Sequence, residues 1–363
     1  MDGNGNIKKA LAVFMRMRLR SQDSHDIKAL DAIKQFIVGL RKMFPAAKGT
    51  ARLSKVRVHA EGGEVKIGLA QVDGKYPNLA LMKLSAWHKA QGDDAEFWNP
   101  LFKYDGVYAS KVFNDTPENY YLPDGVVRGG TGYDFETELP AEVEKMIPDY
   151  SLYPEWTAAI GFTTRGCIRK CPYCVVPRKE GALRVVGDIY SFWAGQKKIV
   201  LLDNNLTAAP FEHFRAVCGS CIAEGLSVDF SQGLDIRLVT PEHAGLLARV
   251  RTFKQIHFAF DHVNYERAVR DGIKILIRSG VGISRLMFYV LIGYDSTPEQ
   301  DLYRVELLRG LGVDPFVMPY NRRNSYQNNF ARWVNMKAIF KTIPWEVYGP
   351  NRMRNEYAIK GGG

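Results

Sequence analysis

The stretch Ala158-Ala159-Ile160-Gly161-Phe162-Thr163-Thr164-Arg165-Gly166-Cys167-Ile168-Arg169-Lys170-Cys171-Pro172-Tyr173-Cys174 decides how the rest of the chain is read. Its first part is an apolar run of strand length, and its second part gathers three of the five cysteines into one loop. A loop leaving a strand with thiols at this spacing folds all three onto one face of a cluster. Iron–sulfur clusters ordinarily take four thiolates, so a set of three leaves one iron without a protein ligand. An open position is where a substrate meets a metal, the distinction that separates catalytic from structural zinc sites. A structural zinc ion is the alternative, but it asks for a fourth ligand close by, and Cys218 and Cys221 lie in a different βα unit. Disulfides are disfavoured by the odd cysteine count and by the reducing compartment argued below.

Downstream of the loop, short apolar runs alternate with helical stretches. The runs lie near 159–164, 199–203, 227–231, 255–260, 286–292 and 315–319. That alternation is the signature of βα units around a parallel sheet. Six units predict a partial, open (βα)6 TIM-like barrel. In such folds the chemistry sits just past the C-terminal ends of the strands. The segments to inspect are therefore Asp203-Asn204-Asn205, Ser231 to Arg237, Asp261-His262, Leu291-Ile292-Gly293-Tyr294 and Met318-Pro319-Tyr320-Asn321. Asp203 to Asn205 also reads as a turn and helix cap. Gln232 and Arg237 are candidates for a ligand's hydroxyls or carboxylate, since a guanidinium suits bidentate carboxylate contacts; the alternative is an Asp235–Arg237 pair. Gly293 permits close backbone approach. Cys218 and Cys221 share one helix face and read as buried apolar residues.

Upstream, residues 65–71 read as a strand, 78–91 as a helix, 104–112 as a second strand and 125–133 as a short β piece with a turn. Together they predict a small Rossmann-like α/β domain over 58–150, preceding a core over 151–320. Residues 321–363 form a C-terminal helical segment, with an amphipathic helix over 330–340 whose Arg332 and Lys337 face solvent. Residues 1–57 form a basic extension with one amphipathic stretch over 27–40 and a breaker at 45–49.

The chain has 363 residues, 46% apolar and 24% charged, an ordinary globular composition. Its net charge of +10 is uneven: residues 1–57 hold 13 Lys/Arg against 4 Asp/Glu, and residues 321–363 hold 8 against 2, leaving 58–320 acidic. Basic flanks admit a nucleic acid or an acidic protein as partner, although solvated tails look the same. No run of about 18 or more apolar residues predicts a membrane span. The N-terminus lacks the apolar h-region of a secretory signal, so the expected location is cytoplasmic.

The motif Cys-x-x-x-Cys-x-x-Cys, with Tyr173 before its last cysteine and the loop placed after the first strand, resembles the radical-SAM superfamily over roughly residues 155–320. The resemblance implies that Cys167, Cys171 and Cys174 hold a [4Fe-4S] cluster whose open iron binds S-adenosylmethionine. Once reduced by an electron donor, the cluster cleaves that cosubstrate to methionine and a 5′-deoxyadenosyl radical, which abstracts a hydrogen atom from a substrate. It further implies cofactor contacts from Tyr173, from Asp203 and Asn205 to the methionine moiety, and from Gly293 near the adenine; Gln232 and Arg237 join them as strand-end candidates. The Asp-Asn-Asn ending and the upstream α/β segment resemble the subset with an N-terminal cobalamin-binding domain. The Asp-x-His-x-x-Gly cobalamin loop of that subset is missing, so the domain reads as degenerate and cobalamin is not expected. Methylthiotransferases of tRNA share the core but add three N-terminal cysteines and an RNA-binding domain that this sequence lacks. The competing reading is a non-catalytic iron–sulfur module whose basic flanks recruit nucleic acid or a protein. Substrate and reaction type are not legible.

Overall fold

The structure, a computed structural model, describes residues 65–118 and 121–349. The basic extension 1–57 and the last residues of the C-terminal segment lie outside the described residues. The chain divides into two compact units after Glu144, somewhat before the expected boundary at 150. The shift has a local cause: Tyr150 belongs to the second unit, where its hydroxyl donates to Phe192 O at 2.6 Å and accepts from Ile160 N at 3.1 Å.

The first unit is a four-stranded parallel sheet in the order β2-β1-β3-β4, built from β1 (Lys66–Gln71), β2 (Asp94–Phe97), β3 (Gly106–Ser110) and β4 (Val127–Gly129). Four consecutive buried residues in β1 show a strand covered on both faces, as parallel strands are. Helix α1 (Leu79–Ala90) starts where Asn78 Oδ1 accepts from Leu81 N at 3.2 Å. Strand β2 escaped the sequence reading because only Ala95 of its four residues is buried, which leaves no apolar run to see. Its Glu96 instead pairs across the sheet edge with Lys66 at 2.9 Å. A short helix α2 (Ala141–Glu144) ends the unit.

In the second unit all six anticipated strands are present and parallel to their neighbours: β5 (Ala158–Gly161), β8 (Lys198–Leu201), β9 (Ser227–Phe230), β11 (Ile256–Ala259), β12 (Leu286–Ile292) and β13 (Asp314–Pro319). They fall into two sheets, β10-β9-β8-β5 and β11-β12-β13, where β10 (Arg251–Thr252) is an added edge. Among the described residues the sheets meet at the isolated parallel bridge Leu234↔Phe258. A short antiparallel hairpin, β6 (Thr164–Arg165) with β7 (Arg184–Val185), closes the neck of the cysteine loop, which carries the one-turn helix α3 (Val176–Lys179).

Helices α4 (Phe211–Ala223), α5 (Pro241–Arg249), α6 (Glu266–Arg278) and α7 (Pro298–Gly310) connect the strands. Alternate strand residues such as Leu201, Val228, Phe258, Phe288 and Val317 bury one sheet face against Phe214, Leu247, Leu276 and Leu308 of those helices. Each such side chain contributes roughly 1.5–3 kcal/mol on burial. Starts and stops follow local chemistry. Thr240 and Thr297 cap α5 and α7, each followed by proline at the first helical position, and Thr297 with Gln300 forms a reciprocal capping box. Cys218 and Cys221 sit in this core, and burial pushes the Cys221 thiol up to about 12. The expected helix over 330–340 is instead two, α8 (Ser325–Asn335) and α9 (Lys337–Thr342), broken at Met336. The break lets Phe330, Trp333 and Phe340 all reach the same core. Lys337 is exposed as expected, but its ammonium lies 2.6 Å from Asp314.

Candidate cofactor site

Thr163 and Thr164 precede the cysteine loop, and both are fully buried. Each directs its amide and its hydroxyl at the carboxylate of Asp203, which arrives from the end of β8 at 2.5 to 3.2 Å. Burial pushes the Asp203 carboxyl up, against the pull of these donors. The next residue, Asn204, accepts from Gly166 N at 2.9 Å. Gly166 has φ +81°, and a Cβ there would run into Ala182 O, so the turn into Cys167 demands glycine. The third residue, Asn205, donates its side-chain amide to Cys167 Sγ at 3.4 Å. Three consecutive residues thus grip three successive parts of the cysteine loop. The neck is closed by Arg165 on Glu180 at 3.1 Å.

Beside the loop lies a cavity of about 330 Å³, at the small end of the range for ligand pockets. Its walls include Lys170, Cys171, Tyr173, Arg237, Asp261 and Tyr294. Tyr173 donates to Asp261 at 2.9 Å, and Asp261 also accepts from Leu291 N at 3.0 Å, linking the loop to the end of β12. Burial, then the neighbouring Asp261, pushes the Tyr173 phenol up, and burial likewise raises the Asp261 carboxyl. Burial alone would raise the Asp235 carboxyl, but Arg237 and Arg169 hold it below the ordinary carboxylate range. Arg237 Nε lies 2.7 Å from one Asp235 oxygen and Arg169 Nε 2.9 Å from the other.

The expected site residues separate into three groups. Cys171, Tyr173 and Arg237 line the cavity, and Arg237 is also paired with Asp235 and set over the Tyr265 ring at 4.4 Å. Cys167, Cys174, Asp203 and Asn205 lie outside the cavity lining, Asp203 and Asn205 in the buried support of the loop. Gln232 is exposed and Gly293, with φ +74°, packs its Cα against the Gln327 side chain, so neither belongs to the cavity lining. Sequence reading missed Thr163, Thr164, Arg169 and Thr207, and named Asn204 only as part of a strand end. A pair of threonines directly before a cysteine loop was the available signal.

Among the described residues no three His, Cys, Asp or Glu side chains converge to hold one metal ion. A cubic cluster makes a different demand, because its three protein thiolates bind three different irons and stand apart on one face. All five cysteines are free thiols, and Cys167, Cys171 and Cys174 are all partly accessible. Cys167 Sγ receives two N–H donors, from Arg169 N at 3.3 Å and from Asn205. Two donors on one sulfur suit a metal-bound thiolate, whose charge they stabilise. Burial pushes the Cys174 thiol up. The donor set fits a three-thiolate cluster. No protein-family model matches the chain, and no curated protein is similar to it. No helix among the described residues is long and apolar enough to cross a membrane.

Proposed function

We propose that the second unit is a radical-SAM catalytic core: its six βα units form a partial, open barrel, and Cys167, Cys171 and Cys174 hold a [4Fe-4S] cluster. The observation that carries this reading is the cysteine loop itself. It leaves the first strand, is pinned by the end of the second, and places Cys171 on the wall of a cavity of ligand size. A cluster bound there supplies the electron that splits S-adenosylmethionine reductively and yields a 5′-deoxyadenosyl radical.

The chain's own residues have assignable parts. Tyr173 is held by Asp261 as one wall for the cosubstrate, and Arg237 presents a cation to its carboxylate from within a charge pair. Asp203 and Asn205 act from behind the loop, on its shape and on Cys167, rather than on the cosubstrate. The four-stranded unit stands as the degenerate cobalamin-binding-like domain of this reading, with no cobalamin assigned. Free thiols and an oxygen-labile centre fit a reducing compartment such as the cytoplasm.

The test is anaerobic reconstitution with iron and sulfide, followed by dithionite and S-adenosylmethionine, with 5′-deoxyadenosine read by mass spectrometry. Wild type forms the product, and Cys171→Ala, which lacks one ligand, forms none. Iron uptake without any cleavage would favour the non-catalytic iron–sulfur module.

A further inference from the structure

Cys167 Sγ accepts from both a backbone N–H and a buried side-chain amide. Arg169 donates its backbone N–H to Cys167 Sγ, and its side-chain Nε reaches Asp235 Oδ2 at 2.9 Å. Asp235 in turn donates its backbone N–H to Thr207 Oγ1 at 2.8 Å. The Thr207 hydroxyl donates to Asn205 Oδ1 at 3.0 Å, which fixes the amide of Asn205 so that its Nδ2 faces Cys167 Sγ. The circuit closes on the sulfur where it began. Asn205, Thr207 and Asp235 are each less than a tenth exposed, so water competes little for these bonds. The loop, the end of β8 and the end of β9 all meet in this circuit.

We infer that this five-residue ring is an electrostatic tuner of the cluster, with Asn205 as the adjustable donor and Thr207 and Asp235 as the residues that aim it. The inference rests on the cluster reading of the loop, and it goes beyond that reading by assigning Asn205 to the sulfur. Reduction adds one negative charge to an iron–sulfur centre, and N–H donors on a ligand sulfur stabilise that charge. Two donors on Cys167 therefore raise the reduction potential, and removing one lowers it. Asn205 and Thr207 are positioning residues here, since they act through Cys167.

The experiment uses the full chain, reconstituted anaerobically, with potentials from redox titration monitored by electron paramagnetic resonance. Asn205→Leu keeps the side-chain size and removes the N–H. It is expected to load the same iron as wild type while the ratio of reduced to oxidised cluster at fixed poise falls three- to tenfold, tenfold being about 59 mV for a one-electron couple. Thr207→Val touches no sulfur, and is expected to shift the potential in the same direction by less. Asn204→Ala removes a loop hydrogen bond with no sulfur contact, and is expected to shift the potential by less than Asn205→Leu does.

A wild-type potential in Asn205→Leu overturns the inference. So does an equal shift in Asn204→Ala, or failure of Asn205→Leu to load iron, because either makes the role one of loop structure alone. Failure of wild type itself to load iron sinks the proposed function instead, which keeps the two outcomes apart.

Discussion

At the C-terminal ends of β5, β8 and β9 the polar side chains that hold the cysteine loop are buried and engaged, whereas the ends of β12 and β13 present aromatic side chains to solvent. Asp203, Asn205, Thr207 and Asp235 are each under a tenth exposed, while Tyr294 is 40% and Tyr320 54% exposed. The first group forms a fixed hydrogen-bonded seat for one loop. The second forms an edge-to-face series, Tyr173 to Tyr294 at 5.3 Å and Tyr294 to Tyr320 at 4.9 Å. Fixed polar groups suit a partner that never changes, such as a resident cofactor. Exposed aromatic faces offer large contact area with few bonds to satisfy, and suit what comes and goes.

Asp203 on the first side and Asp301 on the second are both buried carboxylates, and they are held in different ways. Asp301 on α7 pairs with the fully buried Arg304 at 2.7 Å, accepts from Ser296 at 2.6 Å, and Arg304 donates onward to Phe260 O at 3.0 Å. Asp203 is held by neutral donors alone. Removing one partner of a buried ion pair leaves an uncompensated charge, which costs about 3–5 kcal/mol. Asp301→Ala is therefore expected to give the largest loss, read as a drop in denaturant midpoint. If Asp301→Leu and Arg304→Met together restore most of it, the pair itself was the cause. A loss smaller than that of Asp203→Ala would reverse the ranking of the two carboxylates.

Asp203→Ala comes next, at about 3 kcal/mol, because it orphans the buried amides and hydroxyls of Thr163 and Thr164. Its distinctive mark is local: iron uptake by the cysteine loop should fall more than global stability does. Asp301→Ala should show the opposite balance. Equal effects of both substitutions on iron uptake would mean that the two sides are one cooperative unit, and the contrast between them would fail.

How much of this was legible in the sequence follows from the same contrast. The strands of the second unit were readable because buried parallel strands are written as apolar runs, and β2 was not, because Asp94-Ala-Glu-Phe97 carries no such run. The cysteines were readable from spacing. The Asp203-Asn204-Asn205 segment stood out as a strand end, but its role was not visible. Whether Asp203 faces a cavity or Thr163 depends on which way the chain turns, and sequence does not encode that locally. The Asp235–Arg237 pair, two residues apart, was foreseeable; the Arg169 that completes it comes from a loop 66 positions away.

Stability is also expected to depend on pH through three imidazoles. Burial holds the imidazoles of His213 and His243, on the helices behind β8 and β9, and of His257, stacked on Tyr289 in the other sheet, below the ordinary histidine value. A base with a depressed folded value binds fewer protons folded than unfolded, so stability rises with pH. The contribution is full above about 6.5 and is lost progressively as pH falls below it. His243, edge-on to Phe211 and Phe214, should carry part of that slope. His243→Leu is expected to flatten the denaturant midpoint between pH 7.5 and 5.5, and an unchanged slope would assign the loss to His257 and His213.

The smallest expected change in stability is the most informative about the exposed side. Tyr294 loses less on truncation than the buried carboxylates, since it is 40% exposed and its two ring contacts contribute about 0.5–1.5 kcal/mol each. Tyr294→Ala is thus expected to melt within a few degrees of wild type and to load iron fully, because its ring contact with the cysteine loop is to Tyr173, which Asp261 also holds. Tyr294 also lines the cavity beside Tyr173, so its removal takes away a wall where S-adenosylmethionine is proposed to lie. The expected result is weaker cosubstrate binding, by about tenfold, in equilibrium titration of the reconstituted protein. Weakened binding with an intact cluster separates the two sides by function. Unchanged binding would make the tyrosine series a surface for something other than the cosubstrate, and a fall in iron loading would show that the aromatic side supports the loop after all.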